Sequence, residues 1–170
     1  MTARVLTRSA SEEADRLGAE WWIGCEHMLL GLLADERSST ARVLARNGVD
    51  LETARAATGR MSGSTEGMQR PEWSGKKFTP RATVVLKVAE IEAERLGAHA
   101  PQAGHHLLAL LTEGRSLAVA VLLDLGVDLK RLRAEVLEAL QIPPDTRDRY
   151  VRERELYLSG VGDGRPPARP

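Results

Sequence analysis

The chain has 170 residues, enough for one domain or two small lobes and too few for a large multidomain machine. Its 24 Lys and Arg balance its 24 Asp and Glu, so it lacks the broad positive field that gathers nucleic acid or anionic lipid. Aromatic residues make up 4% of the chain against 42% hydrophobic residues overall, a palette of Leu, Val, Ile and Ala that suits packed helices better than a β-sandwich.

From the N-terminus, no apolar signal core precedes the first helical pattern, and the single Cys25 leaves no internal disulfide or Cys-based zinc site. A cytoplasmic location is the expectation. No run approaches the roughly 18 consecutive apolar residues of a membrane span. No phosphate-binding GxxxxGK loop, GxGxxG, HExxH or GxSxG motif occurs, so no cofactor or metal is expected.

The main organisational feature is an internal repeat. Glu13-Ala14-Asp15-Arg16-Leu17-Gly18 returns 79 residues later as Glu92-Ala93-Glu94-Arg95-Leu96-Gly97. The run from His27 to Leu33 returns at a spacing of 78 as His105 to Leu111, and Gly48-Val49-Asp50-Leu51 returns at the same spacing as Gly126-Val127-Asp128-Leu129. Each copy reads as four helices. The first copy has Ser38 and Asp50 as the caps of its third and fourth helices. In the second copy, Ala82, Val85, Leu86, Ala89, Ala93 and Leu96 form an apolar stripe at helical spacing, started by Thr79-Pro80 and stopped by Gly97. The next helix, about Gly104 to Glu113, is leucine-rich on nearly all sides and should be buried. Ser116 and Asp128 then cap the last two helices.

The expected class is therefore all-α, with two pseudo-symmetric four-helix repeats. The first repeat is placed at 1–60, a Gly/Ser-rich linker at 61–77 and the second repeat at 78–141. A charged helix and disordered tail fill 142–170.

Cys25-Glu26-His27 brings together a thiol, a carboxylate and an imidazole, the parts of a nucleophile and base. Sequence neighbours on a helix point apart, so this spacing does not make them converge, and the pair His105-His106 fails as a metal site for the same reason. His27 and His105 read instead as packed core histidines. Glu26 is open to two readings. It is a carboxylate favoured by the helix dipole, or one side of a mixed pocket in which it pairs with a guanidinium while helix N–H groups take an attached anion. Trp21, Trp22, Trp73 and Phe78 lie in connections, as lids on the core or as anchors for a partner.

Two stretches carry a named resemblance: Ile23-Gly24-Cys25-Glu26-His27-Met28-Leu29-Leu30-Gly31-Leu32-Leu33 and Phe78-Thr79-Pro80-Arg81-Ala82. With the repeated motifs above, they make the segment from Ala3 to Leu140 resemble the double Clp N-terminal repeat domain of ClpC-type AAA+ unfoldases. The resemblance implies a non-enzymatic module that binds a Clp-type unfoldase, its adaptors or its substrate proteins, with neither nucleic acid nor membrane as partner. In some relatives such a domain recognises phosphoarginine, through a glutamate in each repeat and a threonine near each repeat's start. Glu26 and Thr79 match these positions. In the second repeat the glutamate falls on Gly104, and the first repeat's threonine would precede Met1, so the resemblance implies at most one such site. Actinobacterial relatives hold cyclic peptide antibiotics against the phenylalanine that corresponds to Phe78. The expected interface comprises Glu26, Gly104, Phe78, Thr79 and Arg81, on a stand-alone protein of actinobacterial composition. Antibiotic sequestration and a small thiol enzyme using Cys25 and His27 are the alternatives. A transcription-associated role is disfavoured by the balanced charge.

Overall fold

The structure is a computed structural model and describes residues 3–19, 21–62 and 75–158. The first repeat comprises α1 (Ala3–Arg16), β1 (Trp22–Ile23), α2 (Cys25–Ala34), α3 (Ser39–Arg46) and α4 (Leu51–Met61). The second comprises β2 (Lys77–Phe78), α5 (Pro80–Arg95), α6 (Ala103–Glu113), α7 (Leu117–Asp124) and α8 (Leu129–Ala139), followed by α9 (Pro144–Leu158). Most of the 61–77 linker, including Trp73, and the tail 159–170 lie outside the described residues.

Local chemistry explains the helix boundaries. Ser38 Oγ accepts the Ala41 N–H at 3.0 Å, Asp50 Oδ1 the Thr53 N–H at 2.9 Å, and Thr79 Oγ1 the Ala82 N–H at 3.2 Å. Asp128 Oδ1 accepts from both Lys130 and Arg131. Each bond satisfies a backbone donor that the first helical turn leaves open. Gly18 and Gly97, with φ of 73° and 77°, turn the chain out of α1 and α5 in the left-handed conformation that glycine adopts without strain.

α2 and α6 form the centre. Met28, Leu29, Leu30 and Leu32 on α2 are fully buried, as are Leu107, Leu108 and Leu110 on α6. α1 packs on α2 and α5 on α6, as tandem repeats require. The short third helices behave differently. α7 lies mainly against α2 and α4 of the first repeat, while α3 lies against α8 and α6 of the second as well as α2 of its own. The repeats thus exchange their third helices and share one hydrophobic core. Polar contacts follow the same exchange: Asn47 Nδ2 at the end of α3 donates to Glu135 Oε2 at 2.8 Å, and Arg60 on α4 donates to Asp124 on α7 at 2.8 Å.

The two strands were not legible as strands. β1 and β2 pair in parallel, Trp22 opposite Lys77 and Ile23 opposite Phe78, with Lys77 N–H donating to Trp21 O and Thr79 N–H to Ile23 O, each at 3.0 Å. This short clip sets the starts of α2 and α5 side by side. Trp21 and Trp22 are half-buried beside it.

α9 is more than a solvated helix. Tyr150 is only 3% exposed, and its hydroxyl accepts from Arg133 Nη1 at 3.1 Å, which docks α9 against the second repeat.

Candidate functional site

The β1–β2 clip and the exchanged α7 bring three helix starts together around an open groove of about 830 Å³. Gly24, Cys25 and Glu26 come from the start of α2, Thr79, Pro80 and Arg81 from the start of α5, and Ser116 and Leu117 from the start of α7. Glu113 and Arg115 close one side. Three of the five residues expected from the sequence, Glu26, Thr79 and Arg81, therefore meet in one place.

Glu26 folds back over Gly24. A Cβ added at Gly24 would fall 2.0 Å from Glu26 Oε1, so glycine at 24 leaves the space the carboxylate occupies. Its side chain is 19% exposed, and among the described residues it pairs with no Lys or Arg. Its one charged-type neighbour is His27, with Oε1 to Nδ1 at 3.7 Å. That imidazole is not a cation. Nδ1 accepts the Gly24 N–H at 2.9 Å, which places any proton on Nε2, and burial lowers the pKa despite the pull of Glu26. His105 repeats the arrangement, accepting the Gln102 N–H at 3.0 Å. Both rings are buried and cap their own helices, as packed core histidines do.

The remaining charges are arranged around this carboxylate. Arg81 bonds Glu113 Oε1, and Glu113 Oε2 accepts the Arg115 N–H at 3.1 Å. Cys25 is 2% exposed, and burial, then Glu26 and Glu113, push its thiol up to about 12 against weaker opposition from Ser116 and Arg81. The thiol is held protonated at neutral pH, and His27 spends the nitrogen nearest the chain on a cap. The geometry therefore gives no support to a Cys25–His27 nucleophile pair.

Ser116 stands at the N-cap of α7 as expected, but its hydroxyl makes no cap bond. It is 4% exposed and stands beside the Cys25 thiol, a buried polar group at the groove. Sequence reasoning missed Ser116, Glu113 and Arg115 as groove residues. Their repeat partners Ser38, Asp35 and Arg37 were the available signal, since all six lie at the 78-residue spacing.

Those partners line a second, smaller space of about 270 Å³ with Gln102, Ala103 and Gly104. Gly104 occupies the position of Glu26, and a Cβ there would lie 2.8 Å from Leu140 Cγ and Cδ2. Leu140 thus sits over the place where the carboxylate of a second site would stand. Phe78 is half-buried against the core and does not line the larger groove.

Among the described residues, no group of three or more His, Cys, Asp and Glu is placed to hold a metal ion, and no single helix is long and apolar enough to cross a membrane.

A family model for the Clp repeat (R) N-terminal domain matches residues 2–114 and, overlapping, 77–159. The chain is 38% identical over 155 residues to the chloroplastic chaperone protein ClpC1 of Arabidopsis thaliana, a match covering 91% of this chain and 15% of that protein. It is equally similar, over 91% of its length and 16% of the relative, to a chloroplastic ClpA homolog of Brassica napus, the ATP-binding subunit of an ATP-dependent Clp protease. The chain thus spans about one sixth of these relatives. Among solved structures, the N-terminal domain of the chaperone ClpD from Arabidopsis thaliana superposes with a TM-score of 0.67 at 23% identity, over 82% of this chain and 92% of that one. The Hsp104 N-terminal domain from Candida albicans superposes with a TM-score of 0.63 at 16% identity, over 81% and 87%.

Proposed function

The chain belongs to the Clp repeat N-terminal domain family, and from that premise we propose that it is a non-enzymatic protein-interaction module of the Clp chaperone and protease system. Its partners are a Clp-type unfoldase, the adaptors of that machine or the proteins delivered to it. The groove between the starts of α2, α5 and α7 is the recognition surface.

One observation carries this reading. Glu26 is a partly buried carboxylate that no Lys or Arg among the described residues pairs with, placed at a helix start and across a groove from Arg81 and Arg115. A carboxylate in that setting suits a guanidinium, and the neighbouring helix starts and arginines suit an anion attached to it. An arginine-phosphorylated segment of a protein carries both groups. Leu140 over Gly104 supports a single site per chain.

The test is calorimetric titration with an arginine-phosphorylated peptide and with its unmodified form. The modified peptide binds at one site, the unmodified peptide binds more weakly, and Glu26→Ala removes the difference. Failure to bind the modified peptide, a Clp adaptor and a Clp unfoldase alike overturns the reading.

A further inference from the structure

A second concave surface lies on the far side of the second repeat, between α8 and α9, with a volume of about 600 Å³. Its chemistry follows from a difference between the repeats. In the first, Arg55 is fully engaged: Nε and Nη2 bond both oxygens of the buried Glu13 at 2.8 and 2.7 Å, and Nη1 bonds Glu52. At the 78-residue spacing Arg55 corresponds to Arg133 and Glu52 to Lys130, and at the 79-residue spacing of the first helices Glu13 corresponds to Glu92. The second repeat does not rebuild the triad. Thr112 donates to Glu92 Oε1 at 2.8 Å and the Tyr150 hydroxyl stands beside the same carboxylate, but among the described residues no guanidinium pairs with it. Arg133 donates only through Nη1, to Thr112 and to Tyr150. Its Nε and Nη2 have no protein partner among the described residues. Where the first repeat supplies a second carboxylate, this one supplies a lysine.

α9 adds to that imbalance. The cleft is lined by three half-buried arginines, Arg133, Arg147 and Arg154, whereas its acidic members Glu138, Asp148 and Glu155 are all exposed. Among the described residues none of the three arginines makes an ion pair, and the buried Arg154 Nε has no hydrogen-bond partner. A buried guanidinium N–H without an acceptor is unfavourable, so an occupant that supplies acceptors is favoured there. The exposed Ala134 and Val151, over the buried Leu137, give the same cleft an apolar wall. Half-buried guanidinium groups beside apolar side chains select a carboxylate that carries its own apolar neighbour, because the arginine fork binds carboxylate oxygens in pairs and the wall gains by covering.

We propose that the cleft between α8 and α9 is a second recognition site that takes an acidic peptide segment carrying large apolar side chains. It is separate from the groove at Glu26, with different charge and different helices, and it stands whether or not that groove binds phosphoarginine.

The experiment uses the full chain and a fluorescein-labelled peptide of alternating Glu and Leu, read by anisotropy, with alternating Lys and Leu as the control. The acidic peptide binds, its affinity falls at least tenfold in R154Q and in R147Q, falls with added salt, and is unchanged in Glu26→Ala. Arg147 makes no side-chain bond to the described protein, so R147Q reports on the cleft without disturbing the Tyr150 anchor; circular dichroism confirms that both variants fold. Equal binding of the Lys and Leu peptide, or unaltered affinity in both arginine variants, overturns the proposal. So does displacement by inorganic phosphate at the concentration that saturates a simple anion site. Self-association that buries this face, seen as concentration-dependent sedimentation abolished by R147Q, assigns the cleft to a second copy and also overturns it.

Discussion

Leu140 closes over Gly104: a Cβ on that glycine would stand 2.8 Å from the leucine's Cγ and Cδ2. The partner position of Leu140 in the first repeat is Ser62, which is exposed, and Glu26 lines the open groove. One ligand per chain is therefore expected in calorimetry. Gly104→Glu alone should add no second site and should destabilise the fold by about 1–3 kcal/mol, because its side chain must displace a packed leucine. The double variant Gly104→Glu with Leu140→Ser relieves that overlap, and a titration stoichiometry rising toward two would show that Leu140 is what closes the second site.

Cys25 is expected to be inert. With burial and two carboxylates pushing its thiol up to about 12, the thiolate fraction at pH 7.5 is negligible. Alkylation of the folded protein should be slower by orders of magnitude than alkylation in denaturant. Rapid modification in the folded state would revive a thiol chemistry that the geometry does not support.

Acid should weaken the fold through its histidines. His106 is 1% exposed, neither ring nitrogen has a hydrogen-bond partner among the described residues, and burial lowers its pKa to about 4 from 6.5. Between those values the unfolded chain takes up a proton that the folded chain excludes, so stability is complete above pH 6.5 and is lost as pH falls toward 4. His27 and His105 are lowered in the same direction and add to the trend. Denaturant unfolding at pH 7 and pH 5 should differ by about 2 kcal/mol on account of His106. Substituting His106→Met, the residue found at partner position 28, should flatten that difference. An unchanged pH slope in the variant would place the acid sensitivity elsewhere.

Two helical glycines should respond oppositely to the same change. A Cβ on Gly31 would meet the Ala10 backbone nitrogen at 2.8 Å, because α1 and α2 approach closely there, whereas a Cβ on Gly59 meets nothing within 4 Å. Gly59→Ala should stabilise by about 0.5–1 kcal/mol through helix propensity. Gly31→Ala gains the same propensity but must force α1 outward, for a net loss of about 1–2 kcal/mol. Thermal unfolding of the pair decides the matter, and a stabilised Gly31→Ala would contradict the close packing.

The repeat, its helices and most caps were legible because they depend on local signals. Asp50, Thr79 and Asp128 bond backbone groups two or three residues away, and the leucine run of α6 is buried whatever surrounds it. Glu26, Thr79 and Arg81 could be named as candidates from their motifs. What brings them together could not, since a parallel pairing of two residues each, Trp22–Ile23 with Lys77–Phe78, is too short to show any alternation. Ser116 was read as a cap because a serine before a leucine run usually is one. Its hydroxyl makes no cap bond and stands instead beside Cys25 of the first repeat. Tyr150 is buried in a charged stretch whose pattern gives no apolar face, and its hydroxyl bonds Arg133, a residue of another helix.

The exchange of α3 and α7 has a consequence for the molecule as a material. Tandem repeats that touch only their neighbours can melt piece by piece and can be lengthened or shortened one unit at a time. Here each unit completes the other, so neither half is a self-sufficient building block. A mechanical pull or a protease cut in either half would be felt at once in the opposite one.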